Sequence, residues 1–125
     1  MIIHDFSEAA ALFDPMFRDS GEVERIAAAF LDERRELIEL AQLAEGVEAG
    51  GELPKGRIVG QALRLGALGL VVGRSKPGSG PEPSREDVES TRELADMASR
   101  LGMRLHDVII WTSGETCSLR QLGLL

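Results

Sequence analysis

"ALGLVVGRSKPGSGPEPSREDVESTRELADMASRLGMRLHDVIIW", residues 67–111, holds an apolar run, a Gly/Pro/Ser loop, a capped helix and a second apolar run. The segment 67–73 is short, apolar and bounded by Gly, as a buried central strand would be. Ser84 is a strong helix N-cap. Pro83 precedes it, and Glu86 and Asp87 place negative charge in the first turn, where the free backbone N–H groups favour it. Val88, Thr91, Leu94 or Ala95, Ala98 and Leu101 follow at helical spacing, and Gly102 ends the run at the C′ position with φ > 0. "MRLHDVIIW" (103–111) reads as a strand, "TSGE" as a turn and "TCSLRQLGLL" as a final strand with a tail.

Upstream, Ser7 is placed to cap a first helix running to about Phe17, in which Pro15 is expected to kink the helix or end it early. Asp19-Ser20-Gly21 marks a turn. Residues 23–32 alternate Ile26, Ala28 and Phe30 as a strand, and 37–46 follow as its antiparallel partner across the polar turn "DERRE". Taken alone, 24–45 suits one helix equally well, because Ala, Leu, Glu and Arg are good helix formers. Pro54 suits the first turn of a helix over 55–65, with Gly66 closing it in the left-handed conformation. The order α-β-β-α-β-α-β-β predicts an α/β sandwich with a mixed sheet and flanking helices.

Composition sets the outer limits. The 125 residues make one ordinary domain, 1–125, able to bury a core without disulfides or structural metals. Aromatics are only 4% and Tyr is absent, so the core must be aliphatic. The formal net charge of −7 repels polyphosphate and makes general nucleic-acid binding an unfavoured reading. A lone Cys117 forms no internal disulfide and fits a reducing compartment. "IIHDFSEAAALFD" after Met1 has acids at Asp5 and Glu8 and no basic segment, so it is not a secretory leader. No apolar run approaches a membrane span. A soluble cytoplasmic protein is expected.

Local signals for a ligand are weak. Gly73-x4-Gly78 opens like a phosphate-binding P-loop, but Ser79 and Gly80 stand where Lys and Ser/Thr are required, and Pro77 and Pro81 remove amides. Ser113-Gly114-Glu115 has no His placed to activate the serine and reads as a hairpin turn. His106 reads as a core or edge histidine, Cys117 as a small buried hydrophobe, and Met97 and Met103 as core filler.

The segment from Lys76 to Leu125 resembles the C-terminal half of the RadC family of bacterial JAB/MPN domains, with its "HNHPSGDPxPSREDIExT" and "LLGIxLLDHIIVGDGxxxSFRExGLL" motifs. "RIVGQALRLGALGLVV" and "LDERRELIELAQLAEG" resemble the family's preceding segments, so the likeness runs from about Phe6 to Leu125. It implies the MPN/JAB-like, cytidine-deaminase-like α-β-α sandwich. It also implies the JAMM zinc site, in which a Glu on an early strand is general base, a His-x-His pair and an Asp hold the metal, and a Ser lies three residues before that Asp. Such a site leaves one position for a water whose pKa the metal lowers.

Carried over position by position, most of that site is absent. Arg74 stands at the first His and Lys76 at the second, while Ser84 and Asp87 are retained. The general base falls at Ala41 or Gln42, neither of which takes a proton usefully, although Glu39 and Glu45 flank them. The family's Asp-His pair reads Asp107-Val108. Guanidinium and ammonium groups offer a metal no lone pair. Three functions therefore compete. The favoured one is a non-catalytic domain with no zinc, in which Arg74 or Lys76 neutralises Asp87 and the fold serves an unknown protein partner. The second is the zinc-dependent metallo-isopeptidase or hydrolase that the resemblance implies. The third is an anion or nucleic-acid binder using Arg74, Lys76 and Arg85. Family members commonly carry an upstream helical, DNA-binding-like region; the chain starts at the JAB domain, which weakens a DNA-repair reading.

Overall fold

The computed structural model describes residues 1–18, 21–80, 82–112 and 114–125. Its elements run α1 (Phe6–Arg18), β1 (Arg25–Leu31), β2 (Leu37–Glu45), a 3-10 turn (Gly46–Ala49), α2 (Lys55–Leu65), β3 (Gly69–Ser75), α3 (Arg85–Arg100), β4 (Arg104–Thr112) and β5 (Glu115–Ser118). The strands form one sheet in the order β2-β1-β3-β4-β5. Only β3 and β4 are parallel, joined through α3 as a crossover; the other pairings are antiparallel. The segment 24–45 is thus the two-stranded alternative and not one helix. This is the expected α-β-α sandwich.

Two cores account for the layers. Ile26, Ala28, Phe30, Val72 and Val108 face α2 and α3, where Ile58, Ala62, Leu94 and Ala98 meet them. Ala27, Ala29, Leu31, Val71 and Ile109 face the other way and are covered by Phe13 and Phe17 of α1. β1 is therefore buried on both faces, which is why residues 26–31 are apolar throughout, with no alternating polar residues. Phe13, Phe17 and Trp111 form a small aromatic cluster, with Phe17 and Trp111 edge-on at 5.1 Å. Gly73 lets α1 come this close, since a Cβ there would lie 2.9 Å from both Phe rings.

Several sequence expectations need correction. The cap of α1 is Asp5, whose carboxylate accepts the Glu8 N–H at 2.9 Å; Ser7 already lies inside the first turn. Helix α1 continues past Pro15 to Arg18, held by the buried face of Phe13 and Phe17. β1 is shorter than 23–32. β3 is displaced by two residues from 67–73, because Ala67 is still bonded to the Ala62 carbonyl and Leu68 to that of Leu31. Pairing then runs on to Ser75, which brings Arg74 into the sheet. On α3 the buried face is Asp87, Ser90, Thr91, Leu94 and Ala98, while Leu101 and Met97 are exposed; Met97 is not core filler. The face is rotated toward Asp87 and Ser90 because both have buried polar partners. Ser90 Oγ accepts the Leu53 N–H at 2.7 Å.

Gly66 and Gly102 adopt φ of 67° and 77°, and Met103 is buried, as expected. Cys117 is half-buried against the main core. The turn at 112–115 joins β4 to β5 with Thr112 opposite Glu115; Ser113, like Asp19, Ser20 and Pro81, lies outside the described residues. No helix among them is long and apolar enough to cross a membrane.

Candidate functional site: an ion cluster at the end of the third strand

The end of β3 and the start of α3 meet on the α2/α3 side of the sheet. Arg74 pairs with Ile26 on one side and Ile110 on the other, so its side chain enters the core between two apolar neighbours. It is 2% exposed. A guanidinium so placed needs a counter-charge and hydrogen-bond acceptors. Nη1 donates to Asp87 Oδ1 at 3.2 Å, and Nη2 donates to the carbonyls of Ala49 at 2.8 Å and Gly51 at 2.6 Å. Arg74 thereby ties the segment after the 3-10 turn to the sheet. Its Nε is buried without a hydrogen-bond partner.

Asp87 is 3% exposed and serves two purposes. As the third residue of α3 it completes a capping box: its N–H donates to Ser84 Oγ at 3.0 Å, and its Oδ2 accepts the Ser84 N–H at 2.9 Å. The same Oδ2 accepts Lys76 Nζ at 2.9 Å. Burial pushes the carboxyl pKa up. The Ser84 N–H, the Lys76 ammonium and the Ser84 hydroxyl outweigh that and leave it below its ordinary 3.8. Lys76 is held in turn by its own N–H, which donates to the Trp111 carbonyl at 2.7 Å.

The expected geometry is therefore present, with both cations, not one, on Asp87. Two cations and one carboxylate leave a net charge of +1, the same as a dication beside one carboxylate. The donor chemistry does not fit zinc: Arg74 and Lys76 are protonated donors, and Asp87 is the one ligand-type side chain at the three positions. Among the described residues no three His, Cys, Asp or Glu side chains cluster closely enough to hold a metal ion.

The two candidate base positions separate. Ala41 pairs with Ala28 and lies on the same face of the sheet as Arg74, while Gln42 pairs with Ala27 on the α1 face. Gln42 is exposed and shares weak hydrogen bonds with Arg25 and Glu45 at 3.4 Å. Glu39 and Glu45 do not share a face despite their even separation. A bulge opposite Ile26 and Ala27 breaks the alternation, so Glu39 meets Gln61 of α2 at 2.8 Å while Glu45 pairs with Arg25 at 3.1 Å. Ser84 uses its hydroxyl on the helix cap. Arg85 does not join the cluster; its side chain is 93% exposed and pairs with Glu89 along the helix.

Sequence reasoning missed a second buried polar centre, on the α1 face. Asp107 accepts the Val108 N–H at 2.8 Å, the Arg120 N–H at 3.1 Å and the Ser118 hydroxyl, locking β5 and the tail onto β4. The signal was an acid inside the apolar run "LHDVIIW" with Ser-x-Arg at the end of the hairpin partner.

Comparison with known proteins agrees with this architecture. The sequence model of the RadC-like JAB domain matches residues 3–124. A UPF0758 protein of Neisseria meningitidis serogroup B is 38% identical over 104 residues, which is 83% of this chain and 46% of that protein. A UPF0758 protein of Xanthomonas oryzae pv. oryzae is 32% identical over 102 residues, 82% of this chain and 45% of the relative. The chain thus spans just under half the length of these relatives. With a match over nearly its whole length and a mixed five-stranded sheet between α1 and the α2/α3 pair, the chain belongs to the RadC-like JAB domain family.

Proposed function

We propose that this protein is a non-catalytic member of its family, a cytoplasmic pseudoenzyme in which side-chain cations replace the metal of the JAMM site. The observation that carries this reading is the seating of Arg74 and Lys76 together on Asp87. A hydrolytic site of the JAMM kind needs a metal-bound water and a base. Here Arg74 fills the ligand position with a group that cannot bind a metal, and Ala41 supplies no base. The cluster keeps the charge balance of the ancestral site and turns it to structural use, tying β3, α3 and the 49–51 segment together.

What remains useful is the surface, and the reading assigns it to a protein partner. β2 is an edge strand with Ile38 42% exposed, and an edge presents backbone groups on which another chain can pair. Neither alternative finds equal support. A metallo-isopeptidase lacks ligands, and of the anion-site cations two are engaged by Asp87 while Arg85 is paired on the helix surface. The test is hydrolysis of peptide and isopeptide-linked substrates by the purified chain with added zinc. No turnover above the Arg74→Ala variant is expected; turnover abolished by Asp87→Asn and by chelation contradicts the proposal.

A further inference from the structure

On the α1 face, away from the ion cluster, a cavity of about 190 Å³ lies between the start of α1, the turn before β2 and the end of β5. Its construction begins with a bulge in β4. Leu70 pairs with Leu105 and Val71 with Asp107, so His106 is an extra residue and shares the α1 face with Asp107. Gly69 makes room for the imidazole, since a Cβ there would lie 2.6 Å from His106 Nε2. Nδ1 of the same ring is buried without a hydrogen-bond partner. Its walls include the aliphatic side chains of Ile3, Ala9, Leu31 and Val71.

The polar lining is unequally satisfied. Both carboxylates are engaged: Asp5 accepts the Glu8 N–H, and Asp107 accepts from Ser118 and from the backbone N–H groups of Val108 and Arg120. The two arginines are not paired with any carboxylate among the described residues. Arg35 donates one bond, to the His4 carbonyl at 3.1 Å, and Arg120 donates two, to the carbonyls of His106 and Leu105. A guanidinium has five N–H donors in a fork that matches a carboxylate. Two guanidinium groups with unused donors, at an apolar cavity in a protein of net charge −7, are a selective feature and not a general one.

We propose that this cavity binds a small organic acid, its carboxylate held by Arg35 and Arg120 and its apolar body seated on the aliphatic wall. The volume suits a body of benzene size, which fills an engineered cavity of roughly 150 Å³, with space left for the acid group. The proposal is independent of whether the Asp87 cluster binds metal.

Benzoate is a fitting probe, with benzamide as its neutral counterpart. In a ¹H–¹⁵N titration, benzoate should shift the amides of Leu31, Val71 and His106 saturably at one site per chain, and benzamide should bind at least about tenfold more weakly. Arg35→Gln should weaken benzoate at least about fivefold. Ala9→Ile, which removes no charge, should abolish binding by filling the cavity; with the benzamide comparison it decides the matter even if Arg35→Gln fails to fold. No saturable response, equal binding of benzamide, shifts centred on Arg74 and Lys76, or undiminished binding to Ala9→Ile would overturn the assignment.

Discussion

Arg74 and Asp87 form an ion pair at 3.2 Å in which both side chains are almost wholly withdrawn from water, at 2% and 3% exposure. Such a pair is costly to assemble and costlier to halve. Removing Asp87 leaves the Arg74 guanidinium uncompensated in the core, and the intact pair offsets its desolvation only through the further hydrogen bonds each partner makes.

Arg74→Met should destabilise the fold by about 2–4 kcal/mol, since it takes the buried cation from Asp87, which keeps only Lys76 and the Ser84 N–H, and leaves the carbonyls of Ala49 and Gly51 without their donor. Lys76→Met should cost less, on the order of 1 kcal/mol, because Lys76 is 18% exposed and Asp87 keeps Arg74 and the Ser84 N–H. Denaturant midpoints at constant slope measure both. Equal, small losses would mean that Arg74 contributes no more than a surface cation.

Stability should fall in two stages as the solution is acidified. His106 titrates at about 4 when folded against an ordinary 6.5, because of burial and then the charges of Arg35, Arg104 and Arg120. The folded state therefore binds fewer protons than the unfolded chain between those values, and stability is lost as pH falls from 6.5 toward 4. Asp87 contributes stability that is present above its ordinary 3.8 and lost as pH falls through its lower folded value. His106→Gln should remove the upper stage, on the order of 2 kcal/mol, and leave the lower one. An unchanged pH profile of unfolding in that variant would contradict the assignment.

Three glycines should respond differently to substitution. Gly66 and Gly102 have positive φ and nothing near the missing Cβ, so Ala costs about 1 kcal/mol through the backbone alone, and Asn recovers part of it. At Gly73 the obstacle is steric. A methyl there meets the rings of Phe13 and Phe17, so Ala should cost about 1–3 kcal/mol and Asn more. Thermal unfolding of the Ala and Asn series separates the two causes; Asn matching or exceeding the stability of Ala at Gly73 would refute the steric one.

Residues whose neighbours lie nearby in the chain were legible in the sequence. The Ser84 cap and the Gly66 and Gly102 stops follow from local chemistry, whereas the antiparallel pairing of 25–31 with 37–45 was only one of two readings, because the same good helix formers suit a single helix. The closeness of Arg74, Lys76 and Asp87 was legible from the family likeness, which supplies a spatial relation that spacing cannot. The carbonyls that accept from Arg74 Nη2 were not, because backbone acceptors at Ala49 and Gly51 leave no mark in residue type. Nor were the bulges. One extra residue at His106, and another opposite Ile26 and Ala27, reverses the facing of every residue beyond it, and this hid both the Asp107 network and the separation of Glu39 from Glu45.

The central claim is that Arg74 and Lys76 occupy the place of a metal, and zinc content tests it most directly. Elemental analysis of the purified chain, dialysed against zinc-containing and then metal-free buffer, should find far less than one zinc per chain. The Arg74→His/Lys76→His variant in the same measurement shows whether the pocket regains the ion once ligands are restored. Zinc retained near one per chain by the unaltered protein, and lost on Asp87→Asn, would contradict the account.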